Sequence, residues 1–170
     1  MTFNNLEEIR EAGFTGFKKI SELYRDDSVL PAIKGVYLVL YLEKRFPEFL
    51  SIGTGGFFKG KDPNVSLTFL ENNWVKDTIV VYIGKAGKEG SSATLKSRLK
   101  QYLGFGKGGN VGHYGGRLIW QLKNSHDLVV CWKTLPKEDP RSVESSLIRD
   151  FYSKFSQRPF ANLLTNQIDI

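Results

Sequence analysis

Three runs along this chain are apolar enough to be strands buried in a sheet: Gly35-Val36-Tyr37-Leu38-Val39-Leu40-Tyr41-Leu42, Ile79-Val80-Val81-Tyr82-Ile83-Gly84 and Leu128-Val129-Val130-Cys131-Trp132. Each is rich in β-branched and aromatic residues, and the second stops at a glycine, as a buried strand should. Elsewhere the apolar residues recur at helical spacing. Leu6, Ile9, Phe14, Phe17, Ile20 and Leu23 form a stripe over residues 3–27, broken near Gly13 and Gly16 and closed by Pro31. This predicts an N-terminal helical extension over residues 1–32. Leu95, Leu99, Tyr102 and Leu103 predict a helix over 94–103, with Arg98 and Tyr102 four apart and so side by side. Asp139-Pro140 reads as an N-cap followed by proline at the first helical position, opening a helix through Val143, Leu147, Ile148, Phe151 and Phe155. Residues 43–78 lack any sustained period and read as a long ordered insertion, with short strands and one short helix near Leu67–Trp74. Gln157 to Leu164 reads as a short packed tail.

Length and charge narrow the picture. At 170 residues the chain can bury a real core as a single domain. A net charge of +6 and a pI of about 9.4 favour a polyanionic partner over the plainer reading, a basic surface that serves solubility alone. The single cysteine, Cys131, sits in the apolar run LVVCW, which excludes a disulfide scaffold and a cysteine-built zinc site. Only two histidines occur, His113 and His126, so a histidine-built metal site is not expected either. No stretch is long and apolar enough to span a membrane, and the polar N-terminus does not read as a signal peptide. A cytoplasmic protein is expected.

Candidate chemistry gathers around one strand and the helix after it. Tyr82 and Lys85 at a strand end, with Arg98 and Tyr102 on the next helix, suit a substrate phosphate. Downstream, GFGKGGNVGHYGGR carries Lys107, His113 and Arg117 among glycines. Such a loop lets backbone approach a phosphodiester, although a tight surface turn accounts for it equally well. His113 is a candidate proton donor or phosphate contact. Glu144 falls on the apolar side of its helix with Leu147, Ile148 and Phe151. A carboxylate there is costly unless paired. It either meets an arginine at the core edge or holds a hard divalent cation, with substrate phosphate and waters as the remaining ligands. Asn162 is either a satisfied buried amide or a polar site group. Gly55-Gly56-Phe57-Phe58-Lys59-Gly60-Lys61 lacks the glycine-to-Lys-Ser/Thr spacing of a nucleotide-binding loop, which excludes that class of NTPase.

In order, GVY at 35–37, YIG at 82–84, Lys85, the Arg98/Tyr102 pair, Glu144 and a late Asn162 resemble the GIY-YIG nuclease superfamily. The resemblance covers roughly residues 33–164. It implies an α/β fold: a small central antiparallel β-sheet of about three core strands flanked by helices, with residues 43–78 inserted between the first two. It further implies one nuclease domain over 1–170, an endonuclease hydrolysing DNA phosphodiester bonds with one divalent metal, Mg²⁺ or Mn²⁺. By the same resemblance Tyr37 and Tyr82 are paired site tyrosines, one of which activates the attacking water. Lys85 lowers that tyrosine's pKa or neutralises phosphate, and Arg98 clamps the phosphate. Tyr102 orients water or phosphate, Glu144 is the sole metal-ligating carboxylate, and Asn162 supports the site. Lys107, His113 and Arg117 are the expected substrate contacts. The residues do not separate DNA from RNA. Two other classes stand beside the enzyme: a non-catalytic nucleic-acid-binding module on the same fold, and a protein-interaction domain using the insertion.

Overall fold

The computed structural model describes residues 1–88 and 90–163. Leu164, the end of the expected tail, and the remainder of the 1–170 domain lie outside the described residues. The chain forms an α/β fold: a four-stranded, wholly antiparallel sheet flanked by helices. In order the elements are α1 (Leu6–Glu11), β1 (Thr15–Lys19), α2 (Ile20–Arg25), β2 (Gly35–Leu40), α3 (Leu67–Asn73), β3 (Val80–Ala86), α4 (Leu95–Gly106), β4 (Val129–Thr134) and α5 (Pro140–Phe155). Short 3-10 segments lie at Phe58–Gly60, Tyr114–Gln121 and Ser125–Asp127. Across the sheet the order is β1-β4-β2-β3.

The three expected strands form, and a fourth joins them. The N-terminal segment carries helix on either side of the expected interruption, as α1 and α2, but what lies between them is a strand, β1, paired with β4 through Lys18 opposite Val130 and Lys19 opposite Val129. The reason is local. Gly13 and Gly16 take φ of 89° and 92°, left-handed values that break a helix at little cost to glycine. Gly16, with Phe17 next to it at φ 48°, coincides with an irregularity between Thr15 and Lys18, and the strand that results is a short, lysine-bearing sheet edge. The insertion carries its short helix, α3, but its expected strands reduce to one isolated bridge, Phe49 to Leu122.

Strand β2 is the buried centre, with all six residues inaccessible to solvent. Alternation sends Val36, Leu38 and Leu40 to one face, among Ile9, Phe14 and Phe151. Tyr37 and Val39 point to the other, among Tyr82, Leu95, Leu99, Tyr102 and Trp120. The sheet thus separates two apolar layers, α1 and α5 on one side and α2, α4 and the 114–121 segment on the other. Cys131 is buried and its thiol pushed far up by desolvation, an inert core group.

The outer edge of β3 is closed by the tail. Ala161 N–H donates to Val81 O at 2.9 Å, and the Asn162 amide makes both bonds that a neighbouring strand would make with Ile83, each 2.8 Å. Among the described residues no helix is long and apolar enough to cross a membrane.

Candidate active site

The site is built where β3 ends, between α4 and α5. Strands β2 and β3 are in register with Tyr37 opposite Gly84 and Val39 opposite Tyr82. The Tyr37 ring lies across Gly84 so closely that a Cβ there would stand 2.4 Å from Tyr37 Cζ. The glycine of the YIG triplet is therefore space for the tyrosine of the GVY triplet. Thr94 caps α4, its side chain accepting from Ser97 N–H, and this sets Arg98 just inside the first turn. Asp139 caps α5 by accepting from Ser142 N–H, with Pro140 next, so Glu144 falls within the opening turns.

A cleft of about 310 Å³ results, lined by Tyr82, Lys85, Gly87, Lys88, Ser91, Ala93, Arg98, Gln101 and Glu144. It brings together four of the expected residues: Tyr82, Lys85, Arg98 and Glu144. A larger depression of about 620 Å³, near Asn5, Arg10, Leu42 and Ile79, offers only Glu7 and Arg10 as charged groups. The reactive groups are in the smaller cleft.

Glu144 is half-buried and makes no hydrogen bond or ion pair among the described residues, which removes the arginine-bridge alternative. Its pKa is pushed up to about 7 by desolvation, against the pull of Lys85, Arg98 and Arg141. Arg98 has one hydrogen-bonding edge occupied: Nη1 donates to Gly112 O at 3.0 Å and to Gln101 Oε1 at 3.1 Å. The fork is thereby fixed at the cleft wall by the glycine-rich loop.

Only one of the paired tyrosines faces the cleft. Tyr82 is 7 % exposed, whereas Tyr37 is wholly buried. The Tyr37 hydroxyl is 2.9 Å from His113 Nε2. Burial pushes the Tyr82 hydroxyl up to about 12, with the Glu144 charge as second cause; Arg98 and the neighbouring Tyr37 hydroxyl act the other way. Tyr37 and Tyr102 are held well above 10 by burial.

Several expectations need correction. Tyr102 does not reach water or phosphate. It is fully buried, its ring stacked on Tyr82 at 5.9 Å and 13° and packed 4.5 Å from His113. It acts on the site through the rings it supports. His113 is not a phosphate contact either, being fully buried, with its pKa lowered to about 3 by burial and then by Arg98. Its ring is neutral and holds Tyr37. Lys107 and Arg117 stand outside the cleft lining: Lys107 Nζ is 4.3 Å from the Tyr24 ring and the Arg117 guanidinium 4.1 Å from that of Tyr114. Asn162 spends its amide on Ile83, one residue from Tyr82, so it steadies the strand rather than facing the cleft.

Sequence reasoning missed the Tyr37–His113 bond and the carbonyl of Gly112 on Arg98. Both are long-range contacts from a loop without regular spacing, so no local pattern encodes them.

Among the described residues no three His, Cys, Asp or Glu side chains cluster as a ready-made ligand set. The residues present still fit a hard divalent cation in one way. Glu144 is an unpaired, desolvated carboxylate facing a cleft, and a cation there would relieve its burial cost. No family model, no curated protein and no solved structure matches this chain.

Proposed function

We propose that the protein is a metal-dependent endonuclease of the GIY-YIG kind, hydrolysing nucleic-acid phosphodiester bonds in the cleft between α4 and α5. The observation that carries this is the convergence of Tyr82, Lys85, Arg98 and Glu144 on one cleft from three separate elements. Folding does not require an unpaired carboxylate at such a place. Its presence is a cost to stability of the sort that active sites retain.

Arg98 and Lys85 bind and orient the phosphate. The planar fork of Arg98, fixed by Gly112, meets the equatorial oxygens as charge develops there. Glu144 would hold the divalent cation, which when bound supplies charge neutralisation at the scissile phosphate. Tyr82, once its own proton has passed to solvent through the open side of the cleft, takes the proton of the attacking water as a phenolate. In the free protein its hydroxyl holds its proton, and neutralising Glu144 removes the second cause of that. Tyr37, held by His113, lies beside Tyr82 with the ring centroids 6.0 Å apart and favours its ionised form. Tyr102 and Asn162 keep the Tyr82 ring and strand in place. As the new oxygen–phosphorus bond forms, the bond from phosphorus to the 3′-oxygen breaks, and the 3′-oxygen leaves with the bonding pair and is protonated by solvent.

A nucleic-acid-binding module on the same fold is the second reading. It is favoured by the closure of Tyr37 onto His113, which withdraws one of two site tyrosines from the cleft. The test is incubation of purified protein with supercoiled plasmid and branched duplex, in Mg²⁺, Mn²⁺ or EDTA, beside Glu144→Gln. Nicking that needs metal and disappears in the variant supports the enzyme. Salt-sensitive binding with no cutting of any substrate supports the binder.

A further inference from the structure

The insertion and the glycine-rich loop build one surface. Gly56 N–H donates to Phe105 O at 2.9 Å, Lys59 N–H to Asn110 Oδ1 at 3.2 Å, and the Tyr114 hydroxyl to Asp62 O at 3.0 Å. The backbones touch: a Cβ on Gly56 would stand 2.0 Å from Gly109 O.

This surface displays aromatic rings between cations. Phe57 is 54 % exposed, and Lys59 and Lys61 project into solvent beside it. Lys59 Nζ is 5.4 Å from the Phe58 ring; Lys61 Nζ, at 5.9 Å, and the Arg117 guanidinium attend the Tyr114 ring. Asp62 is the sole carboxylate in the stretch 51–62, and its Oδ1 accepts from Asn64 N–H and Nδ2 at 2.8 and 2.7 Å. Lys59 holds φ of 53°, a left-handed value that costs a residue other than glycine. An exposed phenylalanine followed by two lysines that make no ion pair among the described residues matches a polyanion that also presents flat apolar faces.

The surface also runs into the cleft. A Cβ on Gly112 would lie 3.4 Å from Phe58 Cζ, and the carbonyl of the same Gly112 holds Arg98. One residue therefore joins the aromatic strip to the arginine of the cleft wall.

We propose that Phe57, Lys59, Lys61, Tyr114 and Arg117 form a track for an unpaired nucleic-acid strand leading into the cleft. Bases stack on Phe57, while phosphates follow the lysines and Arg117. The inference rests on the nuclease reading and names its substrate class: a branched or frayed duplex with a single strand beside the scissile bond. An intact duplex keeps its bases stacked inside and gives Phe57 nothing to hold.

The test is fluorescence anisotropy in EDTA with a labelled single strand, an intact duplex and a splayed duplex. Wild type is compared with Phe57→Ala and with the double variant Lys59→Ala/Lys61→Ala. These are exposed positions, and matching thermal melts confirm that the variants fold. Phe57→Ala is expected to weaken single-strand and splayed-duplex binding about tenfold while changing intact-duplex binding less than about twofold. The lysine pair should flatten the slope of log K against log salt on the single strand by about 1.4. Equal losses on all three ligands, no loss on any, or no binding by wild type would overturn the track. Because binding is read without cutting, the two readings separate. Phe57-dependent binding without cleavage in Mg²⁺ retains the track and removes the nuclease. Metal-dependent cleavage of splayed DNA undiminished by Phe57→Ala retains the nuclease and removes the track.

Discussion

Glu144→Gln removes a charge without changing shape, and the structure sets the size and sign of its effect on stability. In the folded protein burial raises the carboxyl from its ordinary 4.5 to about 7. The folded state therefore holds the proton more tightly than the unfolded state does. The Glu144 contribution to wild-type stability must fall as pH climbs from about 4.5 to about 7 and level off above that, while buried neutral His113, common to both proteins, contributes in the opposite direction and cancels in their difference. The displacement corresponds to about 3 kcal/mol once the group is fully ionised, and partial exposure with salt screening reduces it to about 2 kcal/mol. Glutamine never ionises, so at pH 8 the variant should be more stable by about that amount, and no more stable at pH 4. For a chain of this size the gain is about 4–8 °C in melting temperature. Thermal melts of metal-free wild type and variant across this pH range read it directly. Added Mg²⁺ should then raise the wild-type melting temperature in proportion to its binding and leave the variant unmoved. A difference between the two proteins that stays flat from pH 4 to pH 8 would refute the reasoning, because it would mean the carboxylate is solvated or paired in solution.

Other substitutions probe the scaffold behind the cleft. Gly84→Ala drives a methyl to 2.4 Å from the Tyr37 ring and should cost about 1–3 kcal/mol or more in a denaturant melt; an unchanged midpoint would contradict the packing. Tyr37→Phe leaves His113 Nε2 buried without its partner and should cost about 1–3 kcal/mol, whereas a neutral result would mean the bond does not form. Asn162→Ala frees both backbone groups of Ile83 at the sheet edge. It should cost about 1–2 kcal/mol and speed amide exchange at Ile83, and unchanged exchange would show the tail is not holding that edge.

How much of this was legible along the chain follows from the range of each interaction. Strand β2 could be read because it is buried on both faces and so apolar throughout, and α5 because its cap, Asp139-Pro140, is a local signal. Strand β1 could not, since Leu6 to Leu23 repeat at helical spacing and the left-handed backbone at Gly13, Gly16 and Phe17, which no spacing announces, accompanies the turn into the sheet. Within the site, Arg98 and Tyr102 were legible as neighbours on one helix, yet their facing directions diverge: one lines the cleft and the other is core. The convergence of Glu144 with Tyr82, the withdrawal of Tyr37 onto His113, and the use of Asn162 as a surrogate strand partner are tertiary facts. No spacing carries them.

The central claim is that the cleft hydrolyses a phosphodiester, and single-turnover cleavage of an end-labelled splayed duplex in Mg²⁺ tests it most directly, with wild type beside Tyr82→Phe and Arg98→Ala. The account predicts cleavage by wild type, a loss of about 10²-fold or more in rate with Tyr82→Phe at little change in DNA affinity, and a comparable loss with Arg98→Ala. Cleavage at equal rates by all three proteins, or none by folded, DNA-bound wild type, would contradict it.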